Sequence, residues 1–427
     1  MLLAGLIGGW TTIWQSAAVG TTVCIAIGIG ALPALESYQY TAWIIAAVVA
    51  GMIYPSAFLE WGDFDLRNKW VILIIVQMVM FGMGTQMSLN DFSGLATSGR
   101  GVIVGLLSQF SIMPLTGFLL TQLFDFKPEI AAGVILIGSC SGGLASNVMT
   151  YLARSNLVLS ITVTAMSTMI APLMTPLMME LFSGTFIEII FVDMMMEIIK
   201  IVIIPIGAAL LYDYLKNASH KGWHTVKILA CISVIWLIAL PLGLWSLLAA
   251  NLSPALLRSA TMFGFLAAAL LAGLGYYGIA TRFPKADDFM PYVSMFGIVY
   301  FTTVTTAAGH ENLLNIGMIL FLAAIMHNTA GYLCGYWLSR LFGLGKHSSR
   351  ALAFEVGMQN GGMASGLAGS MGKLGTVGLA AAVFSPWMNI SGSILANYWK
   401  RRPIDEDEES KVTSGENIQL EANVLKP

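Results

Sequence analysis

The sequence predicts an all-α polytopic membrane protein, and three observations lead to this prediction. Of the 427 residues, 57% are hydrophobic and only 10% are charged, whereas a soluble domain carries about 25% charged residues. Thirteen apolar stretches are long enough to cross a bilayer as a helix, which takes about 20 residues. Lysine and arginine gather in alternate connections between these stretches, as they do in membrane proteins of fixed orientation.

The thirteen predicted spans follow one another along almost the whole chain. They cover residues 16–35, 41–57, 70–88, 101–123, 129–152, 157–181, 195–215, 226–250, 258–281, 289–308, 313–341, 351–372 and 374–398. We expect the first to be a retained helix, because its first charged residue is Glu36 and a secretory signal begins with positive charge.

The basic residues predict the orientation of the chain. If the C-terminus is cytoplasmic, thirteen of them lie at inner connections or helix ends: Arg100, Arg154, Lys216, Lys221, Lys227, Arg282, Lys285, Arg340, Lys346, Arg350, Lys400, Arg401 and Arg402. Five lie outside: Arg67, Lys69, Lys127, Arg258 and Lys373. Because inner connections carry the excess, we expect a cytoplasmic C-terminus in a bacterial inner (plasma) membrane. The net charge of −2 gives no indication of a nucleic-acid partner.

Two spans, 129–152 and 351–372, differ from the rest because both contain a Gly-Gly pair and polar residues in mid-membrane. They share the pattern Gly-Gly-(Leu/Met)-Ala-Ser, which begins at Gly142 and again at Gly361. One copy would be typical of close helix packing. Two copies favour a pair of broken helices, because backbone that leaves the helix inside a membrane has to line a cavity or be buried in protein.

Glu355 lies furthest inside a span of all the acidic residues, next to the second break. An ionised carboxylate there costs about 2.5–3.5 kcal/mol, so it needs a partner, and a hard cation held by oxygen atoms would fit. A protonated glutamic acid and an ion pair with Arg350 are the alternatives. Ser160, Thr164 and Thr168 are spaced to put a line of hydroxyls on one helix face, although such hydroxyls often bond to their own backbone.

Three other polar groups lie inside predicted spans. Gln109 is a buried amide whose role is ambiguous when it is considered alone. His327 and Asn328 are consistent either with function or with hydrogen bonds between helices. Glu197 and Lys200, three residues apart, predict an ion pair.

Three motifs resemble the bile acid:sodium symporter family. They are Phe81-Gly82-Met83-Gly84 with Asp91-Phe92, the stretch from Gly142 to Ala153, and the stretch from Ala353 to Asn360. The resemblance covers roughly residues 40–225 and 286–400. It implies ten spans in two inverted five-helix repeats, a panel domain packed on a core domain, and two broken helices that cross in the core.

The resemblance also implies sodium-coupled symport of a small organic anion by alternating access, with two sodium ions. The implied ligands of the first ion are Ser146, Asn147, Ser160, Thr164 and Glu355. The implied ligands of the second ion are Gln109, Glu355, Gln359 and the backbone carbonyls of Val356 and Met358. The implied substrate-side residues are Leu144, Ala145, Asn360, Met388 and Asn389.

The chain departs from the family pattern at two substrate-side positions. Leu144 stands where the family often has threonine, and Met388 where it often has histidine. Both changes remove a polar group, so we expect an anion other than a bile acid.

The predicted organisation places additions around the family's ten spans. Residues 1–36 form an extra N-terminal helix, 37–225 the first repeat region and the start of the second, and 226–281 an inserted helical pair. Residues 282–402 complete the second repeat, and 403–427 form a disordered, acidic cytoplasmic tail.

Two other readings remain open from the sequence. One is a proton-coupled exchanger of the same fold, in which Glu355 carries the proton. The other is a polytopic receptor or structural membrane protein, which would not need two matching breaks around a carboxylate. An enzyme is not expected, because the chain has no HExxH motif and no histidine paired with Ser141.

Overall fold

The computed structural model describes residues 11–32 and 38–404, and nearly all of them are helical. The helices are α1 Thr11–Gly30, α2 Gln39–Ile53, α3 Lys69–Gly84, α4 Gly94–Leu123, α5 Pro128–Ser139, α6 Leu144–Leu152, α7 Leu157–Ser183, α8 Phe191–Ile198, α9 Ile204–Lys216, α10 His220–Ala239, α11 Trp245–Asn251, α12 Pro254–Arg282, α13 Ala286–Ala308, α14 His310–Leu341, α15 Lys346–Gly357, α16 Gly361–Ser370 and α17 Leu379–Lys400. Strands β1 Glu60–Trp61 and β2 Phe64–Asp65 form one antiparallel hairpin.

Each of the thirteen predicted spans coincides with helix, and four of them consist of two helices each: α5–α6, α8–α9, α10–α11 and α15–α16. Within the described ranges, eight helical segments are long and apolar enough to cross a membrane. The boundaries predicted for the first span, residues 16–35, are wrong, because α1 begins before residue 16 and ends at Gly30. Residues 1–10, 33–37 and 405–427, which include most of the predicted tail, lie outside the described residues.

Local sequence signals explain where several helices begin. Asn68 and Asn156 cap α3 and α7, with side-chain oxygens that accept hydrogen bonds from Trp70 N and Leu159 N. Such a cap satisfies an amide that has no partner within the helix and contributes about 1 kcal/mol. Proline at the first position, as at Pro128 of α5, starts a helix without losing a hydrogen bond.

The helices form two packed groups. Helices α2, α3, α9 and α13 pack against one another, and α4–α7 pack with α14–α17. The first group takes the first two spans of each five-span repeat, and the second group takes the other three. This is the panel and core arrangement that the family resemblance implies, and it accounts for ten of the thirteen predicted spans.

The remaining helices lie outside these ten spans. Helix α1 packs on α2, and α12, the second helix of the predicted inserted pair, packs on α9 and α10. The predicted pair of Glu197 and Lys200 is confirmed as an ion pair. Lys200 lies in a π-helical turn, Ile199–Ile203, between α8 and α9.

Candidate functional site

Both predicted breaks are present in the core. The first separates α5 from α6, with extended backbone at Cys140 and Gly143. The second separates α15 from α16, where Met358 is extended and Asn360 is also outside the helical region. Glycine fits the crossing closely at this point, because a Cβ on Gly142 would lie 2.7 Å from Glu355 Oε2 and the carboxylate would have to shift.

The two breaks complete each other's backbone hydrogen bonds. Gly143 N donates to the Met358 carbonyl at 3.0 Å, and Asn360 N donates to the Ser141 carbonyl at 2.9 Å. Gly142 and Gln359 form an isolated antiparallel bridge between these two contacts. Non-helical backbone is therefore satisfied by protein in a region where lipid could not satisfy it.

Glu355 is buried, and its carboxylate is surrounded by hydroxyls from the first repeat. Ser146 Oγ and Ser160 Oγ each donate to Oε1 at 2.5 Å, and Thr164 Oγ1 lies 2.8 Å from Oε2. Asn147 Oδ1 is 2.8 Å from Ser160 Oγ and 3.2 Å from Thr164 Oγ1. All five residues predicted for the first ion therefore lie in one cluster of six side-chain oxygen atoms.

No basic side chain balances this carboxylate among the residues that the structure describes. The alternative of an ion pair with Arg350 is wrong, because that guanidinium donates to the carbonyls of Trp399 and Arg402. An ionised Glu355 thus has hydroxyl donors but no countercharge. An oxygen-rich pocket around a single buried acid suits a small hard cation.

Three of the residues predicted for the second ion, Gln109, Gln359 and Val356, are joined by hydrogen bonds. Gln109 Nε2 donates to Gln359 Oε1 and also to the Cys140 carbonyl, the latter at 2.8 Å. Gln359 Nε2 donates to the Val356 carbonyl at 2.6 Å. Gln109 Oε1 is buried without a hydrogen-bond partner among the described residues. An unpartnered buried oxygen is costly unless something fills its coordination, so it fits a second cation position.

A cavity of about 290 Å³ lies between the panel helices and the crossing. Its walls include all five predicted substrate-side residues, Leu144, Ala145, Asn360, Met388 and Asn389. Among the residues that the structure describes, no lysine, arginine or histidine lines it. The first turns of α6 and α16 both face this space, and the free amides of a helix N-terminus attract anions.

Asn360 has two roles at this cavity. Its Oδ1 accepts a hydrogen bond from Met363 N at 2.9 Å, which caps α16. Its Nδ2 is buried and has no hydrogen-bond partner within the described part of the chain. Because the residue also lines the cavity, this amide is a free donor next to a helix N-terminus.

A smaller cavity of about 110 Å³ reaches the cluster around Glu355. Asn147 and Thr164 line it, and it shares Gln86, Leu144 and Val148 with the larger cavity. Gln86 follows the end of α3, so a panel residue borders both spaces.

Several groups beyond the predicted ligands shape the site, and of these the sequence singled out His327 and Asn328 without their partners, whereas Thr150 was missed. Asn328 Nδ2 donates to the Gly357 carbonyl at 2.7 Å and so supports the second break. Thr150 Oγ1 lies 3.1 Å from Ser160 Oγ, which gives the hydroxyl cluster another member. His327 Nε2 lies 3.2 Å from the Met113 carbonyl, a contact between helices. The mid-span position of Asn328 was a signal, but its partner could only be found from the crossing.

Comparisons with known proteins are consistent with this arrangement. A family model described as the Sodium Bile acid symporter family matches residues 73–252. The chain is 33% identical over 364 residues to "Uncharacterized sodium-dependent transporter YocS" of Bacillus subtilis (strain 168), which covers 84% of this chain and 90% of that protein. It is 27% identical over 366 residues to "Probable sodium/metabolite cotransporter BASS1, chloroplastic" of Arabidopsis thaliana, with 86% and 74% covered.

A human protein is also similar. "Ileal sodium/bile acid cotransporter" of Homo sapiens is 27% identical over 294 residues, which cover 68% of this chain and 66% of that protein.

Proposed function

Because this chain belongs to the sodium bile acid symporter family, we propose that it is a sodium-coupled symporter of small organic anions that works by alternating access. Family membership confirms the resemblance of the three sequence motifs and makes the chain a sodium-dependent, multi-pass membrane transporter. The anion, the number of ions and the transport cycle are the parts that we propose. The observation that carries the proposal is the buried Glu355 carboxylate within a shell of neutral oxygens.

The first step of the proposed cycle is neutralisation of Glu355. A sodium ion takes Ser146, Asn147, Ser160 and Thr164 as further ligands, so the buried charge acquires a countercharge. Because these ligands come from the first repeat and the acid comes from the second, the ion joins the two broken helices. A second ion at Gln109 and Gln359 would strengthen the same crossing.

The second step is capture of the organic anion in the cavity of about 290 Å³. Since none of the described residues that line that cavity is basic, the carboxylate would be held by the amides of α6 and α16 and by Asn360 Nδ2. Partial charges of this size attract an anion more weakly than a lysine does, so bound sodium at the crossing adds to the attraction. Substrate affinity therefore depends on sodium.

The final step is movement of the core against the panel. The cavity is lined by Tyr40 near the start of α2, Gln86 after the end of α3 and Pro291 near the start of α13. In the predicted orientation all three lie toward the cytoplasm. The arrangement suits an inward-facing state from which anion and sodium are released, with the C-terminus cytoplasmic in a bacterial inner membrane.

A sodium titration of the purified protein tests the proposal without knowledge of the substrate. At fixed pH and ionic strength, sodium should raise the melting temperature, whereas potassium and choline should not. The titration is then repeated with a series of small carboxylates, and those that stabilise only in sodium are used for uptake into proteoliposomes. An equal response to all three cations, with no carboxylate that adds to it, would contradict sodium coupling.

The proton-coupled exchanger is the competing hypothesis. Three hydroxyls lie within 2.8 Å of the carboxylate, and the Asn147 amide oxygen lies beside two of them, so several neutral oxygens are placed to coordinate a cation, whereas a proton needs a single acceptor. We therefore favour sodium. Uptake that follows a pH gradient in the complete absence of sodium would favour the proton instead.

A further inference from the structure

The inserted helix α12 forms one wall of a third cavity, which shares no lining residue with the two cavities at the crossing. This cavity has a volume of about 580 Å³ and lies among α3, α9, α12 and α13. Small-molecule sites typically measure about 300–1,000 Å³, so the space can hold a ligand. None of the residues assigned to the ions or the anion lines it.

The cavity exists because α12 touches α9 closely at one level and stands away from α3 and α13. A Cβ on Gly273 would lie 2.5 Å from the Ala208 carbonyl, so the two backbones are in contact there. Toward its C-terminal end, Tyr276 packs edge-on against Phe81 and Tyr212, with ring centroids 5.2 and 4.8 Å apart. Four of the α12 residues that line the cavity have small side chains and leave it unfilled: Ala268, Ala269, Ala272 and Gly275.

The walls are apolar, and their polar groups already have partners. Gln77 Nε2 donates to the Lys200 carbonyl, and Tyr276 Oη donates to Asp287 Oδ1. Ile74, Met78 and Ile279 line the cavity but are 56%, 44% and 52% exposed, so it opens on the surface that faces the bilayer. A hydrocarbon chain from the membrane matches such a space better than a polar solute does.

Positive charge lies at one end of the cavity. Arg282 continues the face of α12 that carries Gly275 and Ile279, and Lys285 follows in the connection to α13. Both are exposed and make no ion pair within the ranges that the structure describes. Of the nearby acids, Asp287 is bound by Lys216, Tyr212 and Tyr276, and Asp288 is exposed. The balance of charge at this end of the cavity therefore favours the binding of an anion.

We propose that this cavity binds an anionic phospholipid, with an acyl chain along α12 and the phosphate at Arg282 and Lys285. Basic residues at the cytoplasmic ends of membrane helices are common contacts for such headgroups. The inserted helix thereby acquires a role that the ten spans of the family do not supply. The lipid would fill the space that α12 leaves between itself and the panel helices α3 and α13.

The full-length protein, purified in detergent, tests this proposal by native mass spectrometry after exposure to phosphatidylglycerol or phosphatidylcholine. Wild type should retain phosphatidylglycerol. Gly275→Leu should retain about tenfold less, because a Cβ at this position meets no atom within 4 Å and the new side chain fills the cavity without a clash. Gly278→Leu is the matched control, since it is equally uncrowded but does not line the cavity.

The variant Arg282→Gln tests recognition of the headgroup independently of binding of the acyl chain. It should bind both lipids equally, whereas wild type prefers phosphatidylglycerol. Equal retention by Gly275→Leu and Gly278→Leu, or no phospholipid on the wild type, would overturn the cavity as a lipid site. A wild type without preference between the two lipids would overturn the anionic headgroup. Gel filtration and circular dichroism check that each variant is folded.

Discussion

The two broken helices carry the same Gly-Gly-x-Ala-Ser pattern, yet they supply different chemistry. The first repeat provides neutral oxygens, from Ser146 and Asn147 on α6 and from Ser160 on α7. The second provides the charge, Glu355, just before its break. The repeat has thus duplicated the backbone geometry but not the ligands. Because the ligands are divided in this way, a cation can join the two repeats only when both are in place. The predictions below test the contribution of each repeat.

Removal of the charge from the second helix should have the largest effect. Glu355→Ala is expected to abolish sodium-stimulated uptake, because the remaining oxygens are neutral and cannot replace the attraction of a carboxylate for a cation. Glu355→Gln, which keeps the size but not the charge, should fail in the same way. Both are measured as sodium-dependent uptake in proteoliposomes, with the melting temperature in sodium as a second readout.

Glu197→Gln is the matched control for this pair of variants. Glu197 pairs with Lys200 at the start of the panel part of the second repeat, outside the crossing. Its loss should leave the sodium dependence unchanged. Unaltered uptake in Glu355→Ala would remove the basis of the first ion site.

Substitution of a glycine in the first break should have the next largest effect on sodium binding. Gly142→Ala would place a Cβ 2.7 Å from Glu355 Oε2, so the carboxylate or the crossing has to shift. We expect sodium affinity to fall by about tenfold or more, since ligand geometry is displaced at its centre. Sodium titrations of the melting temperature provide the measurement.

Gly362→Ala, in the second break, sharpens this test. A Cβ on Gly362 meets its nearest atom at 3.5 Å, an ordinary contact, and alanine favours the helix by about 1 kcal/mol. This variant should bind sodium as the wild type does. Equal losses in both variants would contradict the difference in crowding between Gly142 and Gly362.

Substitution of the two asparagines beside the breaks should distinguish the sodium site from the anion site. Asn147→Ala should weaken apparent sodium affinity by about tenfold, because it removes one oxygen from the cluster around Glu355. Asn360→Ala should weaken binding of the anion instead, since Asn360 lines the substrate cavity and its Nδ2 has no hydrogen-bond partner among the described residues. Sodium and substrate titrations are compared for each variant. A sodium curve for Asn147→Ala that overlays the wild type would exclude that ligand.

The sequence predicted the spans and the breaks because apolar length and paired glycines are local signals. It could also single out Glu355, since a carboxylate so deep in a span is rare. It could not reach the partners of Gln109 or the support that Asn328 gives to Gly357, because these contacts join residues far apart in the chain. Nor could it find the cavity behind α12, which depends on how closely Gly273 approaches Ala208.

The side chains in the substrate cavity should have the smallest effect on coupling. Leu144 lines the cavity, whereas Met363, its counterpart in the second pattern, is fully buried. Leu144→Thr should therefore change substrate KM by less than about tenfold and leave sodium affinity unchanged, because no ion ligand is touched. Substrate and sodium titrations of uptake check both values.

The same cavity predicts poor transport of bile acids. Its volume of about 290 Å³ lies at the lower end of small-molecule sites, and Leu144 and Met388 add apolar walls where a polar group would orient the substrate. Wild type should show no saturable taurocholate uptake, and Leu144→Thr alone should not create it, because the volume is set by the panel helices as well as by this side chain. Saturable, sodium-dependent taurocholate uptake by the wild type would mean that panel and core separate further than this structure has them, and that selectivity arises in another state of the cycle.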